Sequence, residues 1–235
     1  MSPVSEIVSR PRSATGGFRF PGADTRTIVI GMTGTGKTTF GMWLLSHARF
    51  DKRPWVIIDY KGESLLDNIG YPPLQRLKLG KLPKKRGLYV VSPRSDQDEE
   101  VEEWLWKIWE HENVGLFADE ATLLPNQNAM KAILRQGRSK RIPVIACTQR
   151  PVELNREFFT EANFVSLFRL RDERDFKTVQ GFTGIKINPS SLPKRWSIWD
   201  DAEQGLTLTL KPCPGPNTIE ARLRERVPFS HFFGG

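Results

Sequence analysis

Short apolar runs alternate along the chain with longer segments in which apolar residues recur at helical spacing. The runs are rich in β-branched and aromatic residues and end at turn-forming or polar residues, which is typical of buried strands. They cover residues 27–30, 55–59, 88–91, 114–119, 142–147 and 164–170. The segments with helical spacing cover residues 37–49, 97–111, 126–136 and 171–181. Buried strands alternating with helices predict an α/β fold with a mostly parallel central sheet flanked by helices.

The two ends of the chain break this alternation. Residues 196–200 and 206–210 are joined through a Glu-Gln-Gly turn, which predicts a C-terminal β-hairpin added antiparallel at one edge of the sheet. The first residues are rich in Ser, Pro, Gly and Arg and show no apolar period. We therefore expect an N-terminal arm over residues 1–24 that is flexible or ordered only by a neighbour. A core would follow over residues 25–188, with the hairpin and tail, residues 189–235, packed on it.

Composition narrows the class of protein. The chain has 235 residues, 38% of them hydrophobic, so a core can form without disulfides or a structural metal. Its two cysteines, Cys147 and Cys213, exclude a disulfide scaffold and a four-cysteine zinc site. No apolar run approaches the roughly 18 residues of a transmembrane helix. Residues 1–20 also lack the apolar segment of a secretory signal. We therefore expect no direct membrane span and no secretory signal.

The charge balance favours a polyanionic partner. The formal net charge is +8, and residues 76–86 and 121–152 are basic stretches without an acidic residue. An acidic block lies between them, over residues 96–103. Opposite patches of this kind can steer DNA to a protein, or one subunit onto the next. A generic soluble surface explains the net charge equally well.

The strongest motif follows the first predicted strand. Residues 31–38, GMTGTGKT, fit the pattern G-x-x-x-x-G-K-[ST] at a junction between a strand and a helix. Glycines in such a loop let consecutive N–H groups point at phosphate oxygens, and the helix N-terminus adds positive charge. Lys37 would neutralise β- and γ-phosphate oxygens, and Thr38 would ligate Mg²⁺. The expected nucleotide-binding residues are Gly31, Thr33, Gly34, Thr35, Gly36, Lys37, Thr38 and Thr39.

Two further strands end in residues that suit nucleotide hydrolysis. The strand over 114–119 delivers Asp119 and Glu120 at its carboxyl end, where ligands bind in open α/β sheets. Asp119 would hold Mg²⁺ through water, and Glu120 would polarise the attacking water as general base. The strand over 142–147 is followed by Thr148 and Gln149, and Gln149 could bond the γ-phosphate or the attacking water. Its alternative role is a turn that closes a buried strand.

These motifs together resemble the HerA–FtsK superfamily of P-loop ATPases. The resemblance rests on GMTGTGKTT, IIDYKGE, FADEA, QGRSKRIPVIACTQRP and FVSLFRLRDERD. It is closest to the genome-packaging ATPases of tailless, membrane-containing bacteriophages and related viruses. It implies the additional-strand catalytic glutamate fold, a RecA-like P-loop NTPase with an extra strand between the P-loop strand and the Asp119 strand. It also implies a motor that uses ATP and Mg²⁺ to move double-stranded DNA.

The resemblance implies an assembly as well. Such motors form homo-oligomeric rings, here a hexamer or pentamer, in which a neighbour supplies an arginine finger to each nucleotide. In this family the finger precedes the strand of Gln149, which points to Arg138, with Arg141 and Arg135 as alternatives. Asp59 resembles a strand-end aspartate that would support the active site indirectly. Capsid vertex or portal proteins are then candidate partners, in the host cytoplasm and at the packaging vertex of the virion.

Contact with DNA is predicted on weaker grounds. A motor that grips any sequence should bind phosphates, and the candidate loop carries Lys78, Lys81, Lys84, Lys85 and Arg86. A solubilising run of charge explains these residues equally well. Two alternative functions stay open: a cellular or plasmid DNA-translocation or conjugative-coupling ATPase, and a nucleotide-dependent switch without DNA transport.

Overall fold

The computed structural model describes residues 8–9, 17–62, 66, 69, 73–125 and 128–228. Within these ranges the strands form a single ten-stranded sheet. The strands are β1 (Val8–Ser9), β2 (Arg26–Ile30), β3 (Pro54–Ile58), β4 (Leu74–Arg76), β5 (Gly87–Val91), β6 (Gly115–Ala118), β7 (Val144–Thr148), β8 (Phe164–Leu167), β9 (Ser197–Asp201) and β10 (Leu206–Leu210).

Helices cover both faces of this sheet. The α-helices are α1 (Lys37–Leu45), α2 (Asp98–His111), α3 (Asn128–Gln136), α4 (Glu157–Thr160), α5 (Glu173–Gln180) and α6 (Pro216–Arg226). Short 3-10 turns lie at Ala121–Leu123, Pro151–Glu153 and Pro189–Ser191. None of the helices in the described ranges is both long enough and apolar enough to cross a membrane.

The strand order places the sequence motifs that follow β2, β7 and β6 side by side. Across the sheet the order is β1-β10-β9-β8-β2-β7-β6-β3-β5-β4. The strands from β8 to β4 in this order are parallel, and β9, β10 and β1 are antiparallel additions. Strand β7 lies between β2 and β6, which confirms the extra strand expected from the resemblance and the α/β P-loop fold. The predicted hairpin, β9 and β10, extends the sheet from β8.

The central strands are apolar throughout because both faces of the sheet are covered. On β2, Ile28 and Ile30 pack in one layer with helices α2 and α3, whereas Val29 faces the opposite layer. That second layer contains α1 and α6. Strands buried on both faces need apolar residues at every position, which is why the sequence showed continuous runs rather than alternation.

Strands β1 and β4 and helices α4 and α6 were not predicted from the sequence. Strand β4 is three residues long, and only Leu74 of these is buried. Helix α6 lies in the tail that the sequence analysis described only as proline-rich; it begins at Pro216, and only Ile219 and Leu223 are buried. Two buried residues in eleven, Ile219 and Leu223, are too few to produce a recognisable helical period. Helix α1 ends at Leu45, earlier than the predicted residue 49.

The expected N-terminal arm does not extend as far as residue 24. Phe18 and Phe20 pack against Trp43 of α1, with ring centroids 5.7 and 4.9 Å from it. Arg19 makes two hydrogen bonds of 2.8 Å to the buried carboxylate of Asp201. Residues 17–24 are therefore ordered by the chain's own core, contrary to the expectation of a flexible arm. Residues 1–7 and 10–16 lie outside the described part of the chain.

The close packing of β6 against β3 can be tested at Gly115. A Cβ atom there would lie 2.3 Å from Cδ2 of Trp55, which is far inside van der Waals contact. We expect Gly115→Ala to lower the free energy of unfolding by about 1–3 kcal/mol, because the indole ring must shift within a filled core. Urea unfolding followed by fluorescence measures this. Gly17→Ala, where the added Cβ meets no atom within 4 Å, is the control and should match the wild type. Equal stability of both variants would contradict the packing.

Candidate active site

The loop from β2 to α1 is held from two sides. The N–H of Gly31 donates to the carbonyl oxygen of Thr148 at 3.1 Å, and the N–H of Met32 donates to that of Arg169 at 3.0 Å. Gly34 and Gly36 have φ values of 78° and 94°, the left-handed region that glycine adopts without strain. Hydrogen bonds thus hold the loop between β7 and the segment after β8, and helix α1 begins directly after the loop.

The predicted metal ligands meet at the start of α1. The hydroxyl of Thr38 donates to Oδ1 of Asp119 at 2.9 Å, and Asp119 and the neighbouring Lys37 are both buried. Among the described residues, no three His, Cys, Asp or Glu side chains cluster as a metal site of their own. A hydroxyl and one carboxylate are hard oxygen donors, and Mg²⁺ is usually held by one or two such groups together with phosphates and water. The residues present therefore fit Mg²⁺.

Glu120 lies beside this pair and is surrounded by donors. Its side chain is 5% exposed. Oε2 accepts from Nζ of Lys61 at 2.7 Å and from Nε2 of Gln149 at 3.1 Å. Oε1 accepts from the hydroxyl of Thr122 at 3.0 Å and from the N–H of Gln149 at 3.2 Å. The amide oxygen of Gln149 in turn accepts from the hydroxyl of Thr33 at 2.6 Å. The predicted base, the predicted γ-phosphate contact and the P-loop are therefore one network.

Opposing effects act on the ionisation of Glu120. Burial favours its neutral form and would by itself raise the pKa. The hydrogen bond and charge of Lys61, the N–H of Gln149 and the charge of Lys37 outweigh burial and hold the pKa of Glu120 below its usual value. The carboxylate is therefore ionised at neutral pH, as a general base must be.

An open cleft of about 540 Å³ lies over the P-loop. It is lined by most of the predicted nucleotide-binding residues together with Asp119 and Gln149, whereas Glu120 lies behind Gln149 and does not line it. Its predicted lining residues are Thr33, Gly34, Gly36, Lys37, Thr38, Thr39, Asp119 and Gln149. Gly31 and Thr35 do not line it. The hydroxyl of Thr35 instead donates to the carbonyl oxygen of Met32, and a Cβ on Gly31 would lie 2.6 Å from Cβ of Phe168. These two residues shape the loop from inside.

Sequence reasoning missed several residues of the cleft. Lys61, Arg195 and the segment 212–216 also line it. Lys61 could have been noticed as the charged residue of IIDYKGE, two positions after the strand-end Asp59. Arg195 and the segment 212–216 carry no local signal, because the hairpin and the tail are brought to the P-loop only by the fold.

Asp59 acts on the turn that carries Lys61. Its Oδ1 accepts from the N–H groups of Lys61 and Gly62 at 3.1 and 2.9 Å. Asp59 is buried and does not line the cleft over the P-loop; it faces a neighbouring cavity of about 690 Å³. Its position is consistent with the indirect supporting role expected from the resemblance.

The candidate arginine fingers lie away from the cleft of their own chain. They precede β7. Because β7 is parallel to β2, its amino end lies at the opposite end of the strands from the P-loop. Arg138 is 76% exposed and its Nε is 3.5 Å from a carboxylate oxygen of Asp24. Arg135 is paired with Glu157 at 2.5 Å, and Arg141 has a positive φ of 54°. Each could therefore reach a nucleotide only on a neighbouring chain.

The candidate DNA-binding residues follow β4 and precede β5. All five side chains are exposed; they are Lys78, Lys81, Lys84, Lys85 and Arg86. The backbone of this loop is fixed by two core residues, because Nε1 of Trp104 donates to the carbonyl oxygen of Lys81 and the hydroxyl of Tyr89 to that of Lys85. The loop thus presents its basic side chains to solvent on an ordered backbone.

The P-loop after β2 and the Thr38–Asp119 pair, which joins α1 to the carboxyl end of β6, define the site of a P-loop ATPase. The sequence is 37% identical over 216 residues to the DNA packaging ATPase P9 of Enterobacteria phage PRD1, a match that covers 87% of this chain and 94% of P9. No family model matches the sequence. The chain belongs to the family of this DNA packaging ATPase.

Solved structures support the fold. The genome packaging NTPase B204 of Sulfolobus turreted icosahedral virus 2, in complex with sulfate, superposes with a TM-score of 0.64 at 18% identity, covering 81% of this chain and 98% of B204. Its complex with AMPPCP gives a TM-score of 0.61. EssC (ATPases 2 and 3) of Geobacillus thermodenitrificans gives 0.61 at 15% identity, covering 87% of this chain and 44% of EssC. These structures confirm the P-loop fold that the resemblance predicted.

The pairing of Lys61 with Glu120 predicts a pH dependence. In Lys61→Met the ammonium is lost, burial dominates, and the pKa of Glu120 rises. Because the base must be ionised, the acid limb of kcat/KM for ATP hydrolysis should move to higher pH. A steady-state pH profile measures this, with Lys52→Met, an exposed lysine before β3 on the far edge of the sheet, as control. An unmoved acid limb would contradict the coupling.

Proposed function

We propose that this protein is an ATP-hydrolysing motor that translocates double-stranded DNA into a viral procapsid. The observation that carries the proposal is the 37% identity, over 216 residues, to a DNA packaging ATPase. The geometry supports it, because Thr38 and Asp119 line one cleft, and the buried carboxylate of Glu120 bonds to Lys61 and Gln149, which line the same cleft. The carboxylate next to Asp119 favours hydrolysis of the nucleotide over transfer to an acceptor.

In this proposal ATP binds along the loop from β2 to α1. Backbone N–H groups and the start of α1 hold the phosphates, and Lys37 adds a positive charge at the β- and γ-phosphates. Thr38 would hold Mg²⁺ directly and Asp119 through water, and the ion would neutralise charge that develops on the phosphate oxygens. Glu120 accepts the proton of the attacking water, and Gln149 orients that water or the γ-phosphate.

The proposal includes a homo-oligomeric ring, a hexamer or a pentamer. The nucleotide cleft opens to solvent at the carboxyl ends of the central strands, and the candidate arginines lie at the opposite, amino ends. When copies are arranged head to tail, the arginine of one copy can therefore meet the cleft of the next. Arg138 is the preferred finger because its guanidinium has only a long contact to Asp24, whereas Arg135 is tightly paired with Glu157. Stabilising charge on the transferring phosphoryl group is the role of such an arginine.

DNA would be gripped through its phosphates. The exposed basic loop between β4 and β5 supplies charge without base-reading geometry, as transport of any sequence requires. We place the motor in the host cytoplasm and at the packaging vertex of the virion, where capsid vertex or portal proteins would be its partners.

The first test is ATP hydrolysis with and without linear double-stranded DNA over a salt series. We expect DNA to raise the turnover rate, and the stimulation to fade with salt as phosphate contacts are screened. Glu120→Gln is the matched blank: it should bind ATP and not turn over, because the amide cannot accept a proton from water. Turnover by this variant at the wild-type rate would remove the catalytic assignment. A turnover rate for ATP that DNA does not change would favour a nucleotide-dependent switch without DNA transport.

The trans finger is tested by mixing variants. Arg138→Ala should be inactive alone, because no subunit of its ring supplies an arginine finger. Glu120→Gln should be inactive alone, because no subunit of its ring has the general base. Mixed rings contain interfaces with an intact base and an intact finger, so ATP hydrolysis should recover in part. Arg135→Ala separates the two assignments, because a variant at the arginine paired with Glu157 should keep its ATPase activity without mixing if Arg138 is the finger. Absence of recovery would contradict the assignment of Arg138.

A further inference from the structure

Lys61 contacts both halves of the active site, and the function proposed above does not use it. It follows the carboxyl end of β3, on the turn that Asp59 holds through two N–H groups. Its ammonium is 2.7 Å from Oε2 of Glu120, and its side chain also lines the cleft over the P-loop. It is therefore a second cation beside Lys37 on the phosphate side of the cleft.

The carboxylate of Glu120 has no acceptor site left for a water molecule. A carboxylate offers about four lone-pair positions. Here four donors occupy them: Lys61 and the side chain of Gln149 on Oε2, and Thr122 and the N–H of Gln149 on Oε1. In this arrangement Glu120 cannot take a proton from an attacking water. One donor must leave before the base can act.

Lys61 is the donor best able to leave. The side chain of Lys61 is 41% exposed and has a flexible four-carbon stem. The hydroxyl of Thr122 and the N–H of Gln149 are instead held beside the carboxylate by the backbone. The γ-phosphate of ATP would enter the cleft that Lys61 already lines, and it carries more negative charge than a carboxylate. The ammonium then gains more from the phosphate than from Glu120.

We propose that Lys61 is a positioning residue that transfers its ammonium from Glu120 to the γ-phosphate when ATP binds. Before binding it occupies Oε2 and keeps the base from reacting with water. With ATP bound it contacts the γ-phosphate, and Oε2 becomes available to the attacking water. ADP lacks the γ-phosphate, so Lys61 returns to Glu120 after product release. The inference rests on the proposed ATPase function and deepens it.

A double-mutant cycle tests this exchange. Dissociation constants for AMPPCP and ADP are measured for the wild type, Lys61→Met, Glu120→Gln and the double variant. Lys61→Met should weaken AMPPCP by about tenfold and leave ADP unchanged, because the contact is to the γ-phosphate. Glu120→Gln should tighten AMPPCP, since the amide competes less for the ammonium. The loss caused by Lys61→Met should therefore be larger in the Glu120→Gln background than in the wild type.

The controls separate the exchange from a structural role. Lys61→Arg keeps the charge and should restore most of the preference for AMPPCP over ADP, and Lys52→Met should behave as the wild type. An equal loss for AMPPCP and ADP, or an additive cycle, would overturn the exchange while leaving the ATPase proposal intact. A wild-type protein that binds neither nucleotide would overturn both.

Discussion

The hydrogen-bond ladder that joins β2, β7 and β6 sets the distance on which the whole site depends. Parallel strands in this register end together, so the P-loop after β2, Gln149 after β7 and Asp119 after β6 meet at one edge. The 2.9 Å contact between Thr38 and Asp119 is the result, across two strand spacings. Since the ladder is buried on both faces, its geometry is maintained by packing as well as by hydrogen bonds.

The buried carboxylate at this edge is kept ionised by its surroundings rather than by solvent. Burial of Glu120 opposes its charge, and Lys61 with the N–H of Gln149 more than offsets that effect. The same donors limit the carboxylate's freedom to accept a proton. The contacts that stabilise the charge of Glu120 therefore oppose the reactivity that the proposed function requires of it, and a competing anion near Lys61 is a physical means of removing that conflict.

Much of the fold could be predicted because its strands are buried on both faces. Runs such as 27–30 and 142–147 are unmistakable when every position is apolar, and the strand ends then locate Lys37, Asp119, Glu120 and Gln149. What could not be predicted depends on contacts between distant residues. Helix α6 has only two buried residues, and Phe18 belongs to the core only because Trp43 and Trp199 surround it.

The role of Lys61 was missed for a related reason. A charged residue after a strand is usually solvated, and its partner Glu120 is 59 positions away in the chain. The finger and the DNA-binding residues stay predictions, since both concern surfaces that meet another molecule. Local sequence thus identifies the groups attached to strand ends, and tertiary structure identifies the groups that act on them.

The pairing of β1 with β10 affects the order in which the sheet can form while the chain is being synthesised. Val8 lies opposite Leu210, so one end of the sheet is completed by residues from nearly opposite ends of the polypeptide. During synthesis β1 has no partner until β10, the last strand of the described sheet, has been made, and the edge of β8 stays uncovered until β9 follows. Closure of this edge is a late event with a long loop to close, which slows folding. A ribosome-bound chain truncated before the hairpin would therefore expose an open strand edge, the feature that promotes association between unfinished copies.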